Sequence, residues 1–152
     1  LGVVLNGRLK GTPALEICQR VHELGGLAIP AHPYDYFRAG IREAILDTLP
    51  VDGLEVFNAA TTLKGCNEKA RLYAERRGLP RTAGSDAHHE AAMGTAYTLL
   101  EMPALGVPGV LAGIRQGAQL HCDYLTFRHA LRKTWNNWMR LRRRRPASAA
   151  HS

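Results

Sequence analysis

Apolar residues at Leu15, Cys18, Val21 and Leu24 follow Thr12-Pro13 at helical spacing, and Gly25-Gly26 stop the run. A capping Thr followed by Pro at the first helical position predicts a helix that starts there. The apolar LAIPA run (27–31) predicts a short buried strand with a Pro near its end. Residues 33–40 read as a loop, and IREAILDTL (41–49) as a short amphipathic helix. GLEVFNA (53–59) is rich in strand formers. CNEKARLYAERRG (66–78) has apolar contacts at Ala70, Leu72 and Tyr73, charges elsewhere, and a terminal Gly78. LPRTAG (79–84), TAYTLLE (95–101) and Leu120 to Tyr124 predict three further strands, with a helix from Pro108 to Gln116.

Helices that alternate with strands predict a parallel α/β sheet with crossover connections. In such sheets and barrels, chemistry collects just past the carboxyl ends of the strands. Three successive strand ends then carry polar side chains: His32 after 27–31, Asn58 at the end of 53–59, and Asp86 with His88 after 79–84.

Composition narrows the field. Hydrophobic residues make up 45% and charged residues 22% of the 152, which suits a globular chain. The net charge of +7 is local: residues 1–127 hold 12 basic against 13 acidic residues, whereas 128–152 hold 8 basic residues and no acid. Steering of nucleic acid by the whole body is therefore not implied. No apolar run reaches the roughly 18 residues of a membrane span, and the first residues lack the ordered regions of a signal peptide. The cysteines, Cys18, Cys66 and Cys122, form no CxxC pair, so they read as small apolar residues in a reducing, cytoplasmic setting.

Imidazole nitrogen and carboxylate oxygen suit zinc, manganese or iron. Asp86 and His88 stand two apart, so an extended exit segment turns both toward one ion, and His32 from a neighbouring strand end completes three ligands. A plainer account makes His32 an ordinary strand-end histidine and Asp86 the cap of a turn. His89 points away or serves a second role. Alternation along the strand puts Glu55 on the face opposite Asn58. A buried Glu needs a partner, which leaves it either an ion-paired structural residue or an acid standing behind the ligands. Asn58 donates to a substrate oxygen or holds a turn, and His22 packs on its helix.

The stretches GGLAIPAHP (25–33), AHPYD (31–35), GLEVFNA (53–59), Asn67 to Ala70 and GLPRTAGSDAHHEAAMGTAYT (78–98) together resemble the PHP family, the polymerase and histidinol phosphatase superfamily. The resemblance runs from about residue 12 to about residue 124. It implies the last βα units of a distorted (β/α)7 TIM-like barrel with divalent metal ions (Mn, Zn or Fe) at its carboxyl rim. It also implies metal-dependent phosphoesterase activity on a phosphorylated small molecule or nucleotide. By that similarity His32 matches the histidine before Pro, and Asp86 and His88 match the final Asp-x-His, each a metal ligand in the family. The family's opening His-x-His or His-x-Asp motif has no counterpart here, since the residues before 12 contain no His and no acid. Residues 1–124 therefore read as the carboxyl-terminal portion of a PHP domain with an incomplete ligand set.

Phe127, Leu131, Trp135, Trp138 and Met139 form one helical stripe flanked by basic residues, with Arg142 to Arg145 following. This predicts a basic amphipathic helix over 125–145 and a disordered tail over 146–152. The stripe either docks on the body or meets anionic lipid or nucleic acid through Arg140 to Arg145. Three functional classes follow: a PHP-type phosphoesterase, a non-catalytic PHP-derived binding module acting through its basic tail, and an amidohydrolase-type metal hydrolase. Exposed sheet edges of a partial barrel would favour pairing of copies, a homo-oligomer.

Overall fold

A computed structural model describes residues 11–38, 40–102 and 104–124. Helix α1 (Ala14–Glu23) opens after Pro13, which takes the cap position expected of Thr12. A 3-10 turn at Tyr36–Arg38 and the one-turn helix α2 (Glu43–Leu46) lead to strand β1 (Leu54–Asn58). Helix α3 (Lys64–Arg77) ends at Gly78 in the left-handed conformation, and β2 (Arg81–Gly84) follows. A second 3-10 turn (Glu90–Ala92) precedes β3 (Ala96–Leu99), α4 (Val107–Gln116) and β4 (Gln119–Cys122). The predicted helix and strand positions hold from β1 onward to within a few residues.

Among the described residues the architecture is a small α/β fold with two separate two-stranded sheets. β1 and β2 pair in parallel across the α3 crossover, whereas β3 and β4 pair antiparallel. The expected TIM-like partial barrel is therefore corrected: among the described residues neither sheet closes, and no barrel topology is formed. Two local causes are visible. Between β2 and β3 the backbone ladder is replaced by the Thr98 hydroxyl, which accepts from Ala83 N–H (2.8 Å) and donates to Ala83 O (2.9 Å). Before β1, residues 27–30 form no strand and Ala31 lies in a bend. Pro30 has no N–H to give a ladder, and the Ala28 N–H donates to the Asp52 carboxylate at 2.7 Å. Ala28 O and Pro30 O still accept from Asp52 N–H and Glu55 N–H, so the segment lies along the entry to β1. His22 does more than pack, because its Nε2 stands 2.7 Å from the same Asp52 carboxylate.

The core explains why these elements hold. Leu54 and Val56 of β1 pack on Ala70, Tyr73 and Ala74 of α3, with Tyr34 and Leu46 from the preceding segments. Tyr73 meets Tyr34 edge-on with ring centroids 6.3 Å apart, and its hydroxyl donates to Asp47 at 2.9 Å. On the other side of β1, Phe57 and Ala59 pack with Ala83 and Ala96. Cys18 is buried with Ala28 and Leu49, as a small apolar residue would be. Residues 125–152, including the predicted amphipathic helix and tail, lie outside the described residues. No described helix is long and apolar enough to cross a membrane.

Candidate functional site

The carboxyl ends of β1 and β2 and the 32–41 segment converge on one polar network. Its centre is Asn58, only 2% exposed. The Asn58 amide nitrogen donates to Glu55 Oε2 (3.1 Å), and its carbonyl oxygen accepts from Arg38 Nη2 (3.0 Å) and Ala60 N–H (3.1 Å). Glu55 Oε2 also accepts the His32 N–H at 2.7 Å, which ties the 27–33 segment to β1. Arg38 donates through Nε to Asp35 Oδ2 (3.1 Å) and through Nη1 to Asp86 Oδ2. His32, Asp35, Arg38, Glu55, Asn58 and Asp86 thus form one connected set drawn from three stretches of chain.

The contact between Glu55 and Asn58 overturns the expectation that they face opposite sides. Along β1, Glu55 pairs with Thr82 but Phe57 pairs with Ala83, leaving Val56 as an extra residue. A bulge of this kind interrupts alternation and re-aims the side chains beyond it. Glu55 is accommodated because its neighbour on β2 is a glycine. A Cβ at Gly84 would stand 2.6 Å from Glu55 Oε1.

Burial pushes the Glu55 carboxyl above its ordinary value. The hydrogen bonds from Asn58 and the His32 amide pull it back without cancelling that rise, and the charge on Asp86 adds to it. Asp86 and Asp35 go the other way. Burial would raise both, but Arg38 holds Asp86 below the usual carboxylate range, and the Thr62 amide, Arg38 and the Thr61 hydroxyl do the same for Asp35.

Asp35 is fully buried, and the loop is built around it. Its Oδ2 accepts from Thr61 Oγ1 (3.2 Å) and Thr62 N–H (3.0 Å) as well as from Arg38. Its backbone carbonyl accepts from Arg38 N–H (2.9 Å) and Gly40 N–H (3.0 Å). The chain closes tightly enough that a Cβ at Gly40 would meet Pro33 O at 2.6 Å. Neither Asp35 nor Arg38 stands out in the sequence, because both sit in a stretch with no periodicity. The available signal was their three-residue spacing, which suits an ion pair across one tight turn.

Two of the expected ligands sit on unusual backbone. His32 has φ 33° and Asp86 has φ 48°, the non-glycine residues with positive φ among those described. Such conformations cost of order 1–3 kcal/mol each and persist where surrounding structure enforces them. The turn at Asp86 replaces the extended exit segment expected there. It folds His88 back so that Nδ1 lies 2.8 Å from Asp86 O and 3.8 Å from Asp86 Oδ1. A carbonyl can only accept, so the neutral ring carries its proton on Nδ1 and keeps a lone pair on Nε2. The His88 side chain is 73% exposed, which leaves Nε2 accessible. His32 Nδ1 and Asp35 Oδ1 are buried without a hydrogen-bond partner among the described residues. His89 lies three residues beyond Asp86 in extended backbone, at φ −155° and ψ 156°.

Among the described residues, no group of three or more His, Cys, Asp and Glu side chains is gathered to hold a metal ion. The expectation that this chain is metal-binding in its own right is corrected accordingly. One reason is local: the Asp86 carboxylate is engaged by Arg38. As arranged, these residues do not fit a family-type metal centre.

Residues 65–118, which span nearly all of α3 through the end of α4, match a family described as PHP-associated. An uncharacterized protein of Methanocaldococcus jannaschii is 42% identical over 60 residues, covering 39% of this chain and 34% of that protein. The matched region thus spans about a third of the length of this curated relative. Both similarities are consistent with membership of the PHP superfamily and stop at the family level.

Proposed function

We propose that this chain provides the carboxyl-terminal portion of a PHP-type phosphoesterase that hydrolyses a phosphate ester of a small molecule or nucleotide. The observation that carries the reading is the convergence of His32, Asn58 and Asp86 on one hydrogen-bonded network, with strained backbone at two of them. In this proposal His32, Asp86 and His88 face the reacting group, while Asn58 and His89 contact the substrate. Glu55 holds His32 and Asn58 from behind. Water attacks phosphorus, the ester P–O bond breaks, and the alcohol leaves with a proton. His88 Nε2 has the lone pair and the exposure to accept a proton from that water. Divalent ions (Mn, Zn or Fe) belong to the proposal only with ligands added to those described.

Hydrolysis of an aryl phosphate, compared between the chain and His88→Ala, tests this. A loss of at least about 100-fold in kcat/KM is expected, the low end for removing a general acid–base group. Unchanged hydrolysis in the variant, or turnover of an amide in place of the ester, overturns the reading.

A further inference from the structure

We infer that the turn before Arg38 presents Phe37 as a stacking platform beside the site, so that the favoured phosphate ester carries a flat aromatic ring: a nucleotide rather than a sugar phosphate. The inference narrows the substrate of the phosphoesterase reading and rests on it.

Two loops are locked together at this point. The buried Asp35 carboxylate accepts from Arg38 within its own turn, and from Thr61 and Thr62 on the loop that leaves β1. Within the turn, Asp35 N–H donates to His32 O at 3.0 Å, Arg38 N–H to Asp35 O at 2.9 Å, and Ile41 N–H to Pro33 O at 2.6 Å. Backbone tied in this way fixes where its side chains start, whether or not they pack. Each loop nevertheless turns large apolar side chains to solvent close to the shared carboxylate. Tyr36 (55% exposed) and Phe37 (76%) follow Asp35 directly, and Leu63 (56%) follows Thr62. One exposed apolar residue is ordinary surface. Three that flank a single buried anchor are a different case. Phe37 is the most exposed of them and directly precedes Arg38, whose guanidinium reaches Asn58 and Asp86.

Charge says what such a border is for. The network sets three acidic side chains, Asp35, Glu55 and Asp86, against one guanidinium. That set offers a phosphate no net attraction. Binding energy then has to come from the part of the substrate that does not react. Phe37 can supply it at small entropic cost, because phenylalanine has two side-chain torsions and its backbone is already held. A flat ring laid on Phe37 buries apolar surface on both partners. A sugar, hydroxylated around its ring, buries less and gives up hydration.

The test is calorimetric binding of adenosine monophosphate and of ribose phosphate to the full chain, to Phe37→Ala and to Phe37→Tyr. The parent should bind the nucleotide at least about fivefold tighter than the sugar phosphate, the low end for a base stacked on an aromatic ring. Phe37→Ala should lose that preference and leave ribose phosphate binding and Tm unchanged, and Phe37→Tyr should keep it. Equal affinity for the two probes in the parent, no binding of the nucleotide, or a preference that survives Phe37→Ala overturns the inference. So does a Tm lowered by several degrees in Phe37→Ala, which would make the ring a packing residue. Hydrolysis is not the readout. A Phe37-dependent preference without turnover counts against the phosphoesterase reading alone, and turnover of both esters without a preference counts against Phe37 alone.

Discussion

Asp35→Ala should destabilise the protein by about 3–5 kcal/mol, the cost of breaking a buried charge pair from one side. Its carboxylate satisfies the Thr62 amide, the Thr61 hydroxyl and the Arg38 Nε, from a position with no exposure. Truncation leaves all three donors facing a void and removes an anchor of the turn that carries Arg38. Urea unfolding should show a lower midpoint with an unchanged slope. Asp35→Asn keeps an accepting oxygen and should lose less. A loss below about 1 kcal/mol in the alanine variant would mean that the 32–41 segment is held by something else. The same residue gives a pH dependence. Asp35 and Asp86 have folded-state values below the ordinary 3.8. Their contribution is fully present above about pH 4 and is lost as pH falls through those lowered values.

Glu55→Gln should stabilise the protein at neutral pH, by about 1 kcal/mol, a common gain when an unfavourable group is relieved. The sign follows from burial. The folded-state value of Glu55 lies above its ordinary 4.5, so the fold prefers the protonated form. Stability from that preference is complete below 4.5 and disappears as pH rises through the raised value. Glutamine keeps a carbonyl oxygen for His32 N–H and Asn58 without the charge. Melting temperature should therefore fall as pH rises above about 4.5 for the parent and stay flatter for the variant. A variant that melts lower at pH 7 would show that the charge is needed, most simply as a partner for His32.

Local structure was more legible in this sequence than its assembly. The pattern around Ala70, Leu72 and Tyr73, closed by Gly78, marks α3 almost to the residue, because capping and amphipathicity act within one helix. The parallel pairing of β1 with β2 follows from the intervening helix. The barrel did not follow, since sheet closure depends on partners distant in sequence. A threonine hydroxyl taking over a ladder at Ala83 leaves no periodic trace. The 27–31 strand failed for a reason that was present in the text, the missing N–H of Pro30. His32, Glu55, Asn58 and Asp86 were all singled out as chemistry-bearing and do share one network. Their mutual geometry was not legible: the bulge at Val56 reverses the expected facing of Glu55 and Asn58, and the left-handed turn at Asp86 withdraws His88 from an extended path. Arg38, which links the two halves of the site, lies in a stretch whose sequence reads only as loop.

The 32–38 turn and the 84–88 strand exit act as one site, joined by Arg38. A double-mutant cycle between Arg38→Gln and Asp86→Asn, scored by urea unfolding, measures this directly. Coupling of about 1–3 kcal/mol is predicted, as for charge-assisted pairs in direct contact. Losses that simply add, to within about 0.3–0.5 kcal/mol, would contradict it.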